Sequence, residues 1–421
     1  MRVDRDRFLK EGYLVVQEVV PPDQLDEVRA AYEILVDRQR ETWVSQRKPD
    51  DPPGGAWETS AQPRLALSGE ELSDAIDGRT AAAVEMWLGE RAQGVSEQLL
   101  AVEDAAVTEM MLMCNPRRDH GPAVWHRDMY PPYCAPLQGY VDDIIEIGPR
   151  YIQWNISLYD DDVLWVIPGS HARLNTPEED EQLLKDRSVP LPGGVQTHLK
   201  AGDGVVYILP ILHWGSNYSS RKRRCIHGGF SAYSHYAHRG YIPHLSEDAR
   251  NTFARWIEQS ERTEARTEAV LRAALRRDAA AYDAAPAALR PGSGEKGKLL
   301  STVFLSKTAR RICDLKRPDF DSLPQQTRTW ATGPHPMTLQ WGAAFADRFS
   351  ADEAAELWRR FQPDSFHGHL GFNHVLWSTQ RSRQFLSQGF QHECLQGQPG
   401  KPSHGSHFRL RLRRFRNGFR D

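Results

Sequence analysis

The sequence predicts an α+β protein with a jelly-roll or barrel core, flanking helices and a mainly helical C-terminal extension. Three observations lead there. Between about 105 and 235, short β-rich runs (108–113, 151–158, 163–167, 204–209 and 225–232) alternate with turn signals instead of with helices. Ahead of them the chain reads as helix, strand, helix. After Ser246 it turns charged and Ala-rich, as helices do. The 421 residues are therefore expected to divide into a domain over 1–245 and an extension over 246–421.

The elements follow in order. Phe8-Leu9-Lys10-Glu11-Gly12 closes a short helix at a glycine, and Tyr13-Leu14-Val15-Val16 is β-prone. Val19-Val20-Pro21-Pro22-Asp23 opens an amphipathic helix with Leu25, Val28, Ala31 and Leu35 spaced for one face. Residues 46–64 hold Pro, Gly, Asp and Gln without periodicity, which predicts a long loop. Ser246-Glu247-Asp248 supplies a hydroxyl cap and first-turn acids for a helix running to about 284, with Phe253, Trp256 and Ile257 on one face. Pro291-Gly292-Ser293-Gly294 breaks the helical texture. Further on, 343–360 is the clearest helix, and Ser350 with Glu353 fits a capping box. Residues 401–421 carry seven Lys/Arg and one acid, a pattern expected of a solvated, mobile end.

Composition narrows the functional classes. Hydrophobic residues make up 40%, enough for a sizeable core. A net charge of -3 argues against a nucleic-acid binder. The five cysteines are odd in number and form no C-x-x-C pair, which speaks against a disulfide framework and a thiolate zinc site. A reducing cytoplasm is the expected setting. No apolar segment follows the charged N-terminus, and no run of residues is long and apolar enough for a membrane span.

The chemistry lies in four signals. In Trp125-His126-Arg127-Asp128, extended backbone puts residues i and i+2 on one side, so His126 and Asp128 can share a metal. Gly202-Asp203-Gly204 precedes a β run that leads to His213-Trp214-Gly215-Ser216-Asn217, where His213 can supply a third ligand. Two histidines and a carboxylate on one face of a metal leave open positions, the arrangement that suits non-haem iron(II). Arg224, eleven residues after His213 in Arg221-Lys222-Arg223-Arg224, can fork onto a dicarboxylate. Val166-Ile167-Pro168-Gly169-Ser170-His171 is a strand end and turn, in which His171 fixes the turn or serves as an alternative ligand. His198 and His227 are further alternatives.

Together these residues resemble the phytanoyl-CoA dioxygenase-like family of iron(II)/2-oxoglutarate oxygenases. The resemblance covers roughly 5–235: Phe8 to Val16, His126-Arg127-Asp128, Gln153-Trp154-Asn155-Ile156-Ser157-Leu158, Pro168-Gly169-Ser170-His171, Gly202-Asp203, His213, Asn217 and Arg224. It implies a double-stranded β-helix (jelly-roll, cupin-like) core. It implies His126, Asp128 and His213 as catalytic iron ligands and Arg224 as the anchor of 2-oxoglutarate, with O2 as the oxidant. Gln153 and Asn155 lie on a strand that faces the site in such enzymes, and Ser216 neighbours a position that often helps to hold 2-oxoglutarate. Trp125 and Tyr130 are candidates for the substrate pocket, beside the plainer reading of packing.

Two departures stand out. The acidic-Asn-Gly turn before Pro-Gly-Ser-His is shortened to Tyr159-Asp160-Asp161-Asp162-Val163, and Gly215 stands where a hydroxyl residue is common. The implied reaction is hydroxylation of an unactivated C–H bond of a small molecule. Related halogenases replace the carboxylate ligand, so Asp128 disfavours halogenation. A carrier protein or a second copy of the chain remains open as a partner. Two other readings stay open: a cupin-like metalloenzyme that needs no 2-oxoglutarate, and a non-catalytic barrel scaffold.

Overall fold

The computed structural model describes residues 1–67, 74–128, 141, 144–145, 148–232, 236, 238–282, 284, 305–306, 308–323, 328, 331 and 342–361. The elements that position the site come first. Helix α1 (Arg5–Glu11) is capped by the Asp4 side chain and ends at Gly12, whose φ of 84° is the left-handed turn that glycine adopts freely. Strand β1 (Tyr13–Val16) leads to α2 (Leu25–Ser45), α3 (Ala56–Thr59), β2 (Arg64–Ala66), α4 (Ala82–Glu85) and α5 (Val95–Leu100). Then come β3 (Ala106–Cys114), β4 (Tyr151–Ser157), β5 (Trp165–Val166), α6 (Pro177–Lys185), β6 (Val195–Gln196), β7 (Gly204–Ile208), β8 (His213–Trp214) and β9 (Arg224–Ser231).

Two antiparallel sheets face each other. The larger has the order β1-β7-β4-β9-β3-β2 and the smaller β6-β5-β8. The order skips along the sequence, as a jelly roll requires, and the family-like expectation of such a core with flanking helices holds. The larger sheet is buried on both sides, but its two faces differ in chemistry. Ile152, Trp154 and Ile156 of β4, with Met110 and Leu112 of β3 and Ile226 and Phe230 of β9, turn toward α2, α4 and α5 and form the main apolar core. Trp154 also donates its indole N–H to Ser96 Oγ at 2.9 Å. The alternate residues Gln153, Asn155, His227, Glu109 and Tyr207 are polar and line the interior between the sheets.

The structure departs from the sequence reading in three places. The expected loop over 46–64 contains α3 and runs into β2, an edge strand paired with β3 (Arg64↔Met113). Three residues are too few for β periodicity to be read. The expected helix over 343–360 is two helices, α8 (Gly342–Ala346) and α9 (Ala351–Phe361), when numbered after the long helix α7 (Glu247–Arg276). The same capping box causes the break: Ser350 Oγ accepts from the Glu353 amide at 3.1 Å, and Glu353 accepts from the Ser350 amide at 2.9 Å.

Nor is residue 245 a gap in packing. Ser246 caps α7 through the Ala249 amide, and Phe253 and Trp256 enter the main core against Tyr236 and Tyr241. Val270, Leu271 and Ala274, farther along α7, form a second core with Phe349 and Leu357. One helix thus belongs to both cores. The Pro291–Gly294 break, Tyr130 and the basic tail lie outside the described residues.

Candidate metal centre

The site forms where the loop after β3 meets β8. His126 and His213 face each other as an antiparallel bridge, each amide donating to the other's carbonyl at 3.0 Å. This bridge extends the small sheet by one rung and sets the imidazole centroids 4.2 Å apart. Each ring is then turned by its own chain. The Nδ1 of His126 lies 2.8 Å from the Val124 carbonyl, and that of His213 lies 3.0 Å from the Ile211 carbonyl. A carbonyl only accepts, so both Nδ1 atoms carry a proton, and in the neutral rings that bind a metal both Nε2 atoms present lone pairs.

Those lone pairs converge on Asp128. Its Oδ1 is 3.5 Å from His126 Nε2 and its Oδ2 is 3.4 Å from His213 Nε2. One ligand atom from each of the three residues falls within 4.8 Å of the others, and among the described residues no other such group of His, Cys, Asp or Glu occurs. The donor set, two imidazoles and a carboxylate converging on one point, fits a divalent metal. Burial alone would raise the Asp128 carboxyl, but the two histidines and the Gln153 hydrogen bond outweigh it and hold it well below the usual carboxylate range. Burial would likewise lower His213, and the Asp128 carboxylate overrides that and holds it above its ordinary value.

A shell of hydrogen bonds fixes the group. Gln153 Nε2 donates to Asp128 Oδ2 at 2.9 Å and to Tyr207 Oη at 2.7 Å. Arg127, between the two ligands in sequence, points away from them. It donates to the Ser170 and Pro210 carbonyls and to Asn175 Oδ1, tying the ligand loop to the turn after β5 and to the approach to β8. Ser170 Oγ accepts from the Leu212 amide at 2.8 Å. Trp125 and Trp214 stack at 5.4 Å on the outer side of the bridge, with their indole N–H groups on the carbonyls of Val189 and Ala123. Trp125 thus packs behind the metal group.

The other sequence candidates are placed as follows. His171 is buried away from the group, its Nε2 2.9 Å from the Leu9 carbonyl, and so fixes the turn against α1. His198 is exposed. Asn155 Oδ1 is 2.6 Å from His227 Nδ1, on the interior face next to Gln153. Burial pushes His227 down to about 3, and Arg64 adds to this, so its ring is neutral. Ser216 sits opposite Pro122, and among the described residues no hydrogen bond joins its hydroxyl to the site.

Arg224 departs from expectation. On β9, His227 and Cys225 share the interior face, so Arg224 falls on the other one. Its guanidinium pairs with Glu33 of α2 (Nε to Oε1 3.0 Å) and reaches the Asn115 side chain and the Arg223 carbonyl. It is a tie between the sheet and α2, on the side opposite the metal group. Arg223 is the arginine that turns inward. Its Nε donates to Asp161 Oδ2 at 2.5 Å, and among the described residues its two terminal nitrogens have no hydrogen-bond partner.

Comparison with known proteins identifies the family. The profile of the family described as phytanoyl-CoA dioxygenase (PhyH) matches residues 8–225. The chain belongs to the phytanoyl-CoA dioxygenase family. Several solved structures are similar to it. AviO1 from Streptomyces viridochromogenes Tue57 is 20% identical over 55% of this chain and 96% of its own, with a TM-score of 0.38. EvdO2 from Micromonospora carbonacea var. aurantiaca, complexed with 2-oxoglutarate, is 17% identical over 58% and 98%, with a TM-score of 0.36. The α-ketoglutarate-dependent epimerase SnoN from nogalamycin biosynthesis is 16% identical over 54% and 79%, also at 0.36. No curated protein matches the chain.

Within this member of the family, four side chains matter that sequence reasoning did not single out. Arg127 stands between two ligands and Tyr207 within a β run, and neither position carries a sequence signal of its own. Arg223 was hidden in a basic run. Glu109 is a lone acid in an apolar strand, and that was its available signal. It lines the interior, where burial and then the Asp128 carboxylate push its carboxyl up to about 7.

Two outcomes follow for the metal-free and metal-loaded protein. Gln153→Leu removes the hydrogen bond that aims Asp128, and is expected to weaken divalent-metal binding by roughly ten- to a hundredfold; competition with a chelating dye measures it, and unchanged affinity would remove Gln153 from the site. Glu109 holds a proton in the folded chain that the unfolded chain releases near its ordinary value of 4.5. Its contribution to stability is therefore full below about pH 4.5 and is lost as pH rises through about 7. Metal-free Glu109→Gln should match the parent chain in denaturant midpoint at about pH 4 and exceed it at about pH 8, by on the order of 2 kcal/mol with partial exposure allowed for.

Proposed function

We propose that this chain is an iron(II)- and 2-oxoglutarate-dependent oxygenase acting on a small molecule, with hydroxylation of an unactivated C–H bond as its reaction. The single observation that carries the reading is the convergence of His126 Nε2, His213 Nε2 and the Asp128 carboxylate, each ligand oriented by a separate hydrogen bond. A ferrous ion held by His126, Asp128 and His213 would, with 2-oxoglutarate and O2, supply the oxidising power.

The protein's own part is orientation and exclusion. The three ligands would occupy one side of a bound metal and leave its other positions for co-substrate and O2. Gln153 keeps the Asp128 carboxylate in place while it carries its charge. The stacked Trp125 and Trp214 close the outer side against water. In this reading the far carboxylate of 2-oxoglutarate goes to Arg223, whose free terminal nitrogens form the fork that a carboxylate needs. Neutral His227 and Asn155, between Arg223 and the metal group on the interior face, border the path of its carbon chain. Zinc accepts the same donors. An inward arginine beyond the triad favours a dicarboxylate co-substrate over a hydrolytic or isomerising metal site, and over a scaffold that needs no triad. Among the described residues no helix is long and apolar enough to cross a membrane.

Anaerobic addition of iron(II) and 2-oxoglutarate tests the reading. A visible charge-transfer band that requires both is expected, absent in His213→Ala. Arg223→Ala should raise the 2-oxoglutarate needed for half-formation by roughly ten- to a hundredfold, the loss of about 1.5–3 kcal/mol for a charged hydrogen bond. Arg224→Ala should leave it near the parent value. No band from folded protein, or the two arginine variants exchanging effects, would contradict the reading.

A further inference from the structure

Glu109 is placed by a deliberate irregularity. The β3–β9 ladder shifts register between Val107 and Glu109, which makes Thr108 the extra residue of a bulge. After the bulge, Glu109 stands opposite Gly229, and Gly229 stands opposite Gln153 of β4. One rung of the sheet therefore reads Glu109, no side chain, Gln153. The gap is used. A Cβ at Gly229 would lie 2.3 Å from Tyr151 Oη, so only glycine lets the Tyr151 ring lie across β9 between the two.

The polar groups around Glu109 are satisfied among themselves. Tyr151 Oη lies 3.5 Å from Gln153 Oε1, Thr108 Oγ1 donates to the Gly229 carbonyl, and Gln153 serves Asp128 and Tyr207. The Glu109 carboxyl has no hydrogen bond or ion pair among the described residues, and its register puts it on the interior face that carries Gln153 and the metal group. It is not one of the metal ligands, which converge within 4.8 Å without it. Arg64, a cation that acts on it electrostatically, is on the edge strand β2 and bonds Gln62 instead (Nε to Oε1 2.8 Å). A half-buried carboxyl with no protein partner of its own is available to pair with a cationic ligand.

The charges agree. A ferrous ion's two positive charges face three negative ones, from Asp128 and the two carboxylates of 2-oxoglutarate. Arg223 is shared between Asp161 and the far carboxylate, and the exposed Arg64 adds one further positive charge. With Glu109 ionised, one negative charge remains uncompensated.

We propose that Glu109 selects the substrate, and that the substrate carries a basic nitrogen, bound as an ammonium or amidinium ion by the Glu109 carboxylate beside the metal group. The proposal rests on the reading that the interior face beside the metal group is the oxygenase substrate site, and it names the class of molecule admitted.

The test compares two probes of equal shape, cyclohexylmethylammonium and cyclohexylmethanol, by calorimetry on protein loaded with manganese(II) and 2-oxoglutarate. The ammonium is expected to bind the parent chain at least about tenfold more tightly than the alcohol, and Glu109→Gln should erase that preference. Metal loading is measured in parallel for both proteins. Absent or equal binding of the ammonium to the parent chain, or a preference that survives Glu109→Gln, overturns the proposal. If the ammonium preference appears but the iron(II)/2-oxoglutarate band does not, the amine site stands and the oxygenase reading falls.

Discussion

The two hydrogen bonds between the main chains of His126 and His213 organise this molecule. They join a loop that left the large sheet after β3 to the last strand of the small sheet. Once that rung is closed, the sites of both imidazoles are set by backbone, and each Nδ1 has a carbonyl of its own chain two residues back. The metal-binding tautomer is thus built into the chain direction. Arg127 then locks the same loop to the turn of Ser170 and the approach to β8, and the Trp125–Trp214 stack covers the rung from outside. Strain or solvent at any of these points would reach the ligands directly.

Alternation along β9 is the second constraint. Neighbouring arginines at its start take opposite faces and do different work. Arg224 joins the sheet to α2 through Glu33, whose own carboxyl burial would raise but Lys222 and Arg224 hold low. Arg223 enters the interior against Asp161, and the same acid accepts the Val163 amide in the shortened turn before β5. The departure from the usual acidic-Asn-Gly turn therefore has a structural counterpart: one acid of the compressed turn orients the inward arginine.

Much of this was legible in the sequence. The β-rich runs fall on β3, β4, β5, β7 and β9, because period-two alternation survives wherever one face meets helices and the other a polar interior. The metal triad was legible because H-x-D and a distal histidine are local signals. Which arginine turns inward was not, since an offset from His213 counts residues through a turn whose conformation decides which face each one meets. Glu109 was illegible for a similar reason: a bulge at Thr108 re-aims it, and a bulge depends on the partner strand. The three-residue β2 was too short to show a period. The break between α8 and α9 was written as a capping box, but lay inside an apolar periodicity that reads through it.

The central claim is that one metal ion is held by two imidazoles and one carboxylate, each by the atom the hydrogen bonds leave free. Electron spin-echo modulation of the manganese(II)-loaded protein tests it most directly, because it counts coordinated imidazole nitrogens. One tightly bound ion per chain with two equivalent imidazole couplings is predicted, reduced to one coupling in His126→Ala and in His213→Ala. A spectrum without imidazole coupling, or one that His213→Ala leaves unchanged, would contradict the account.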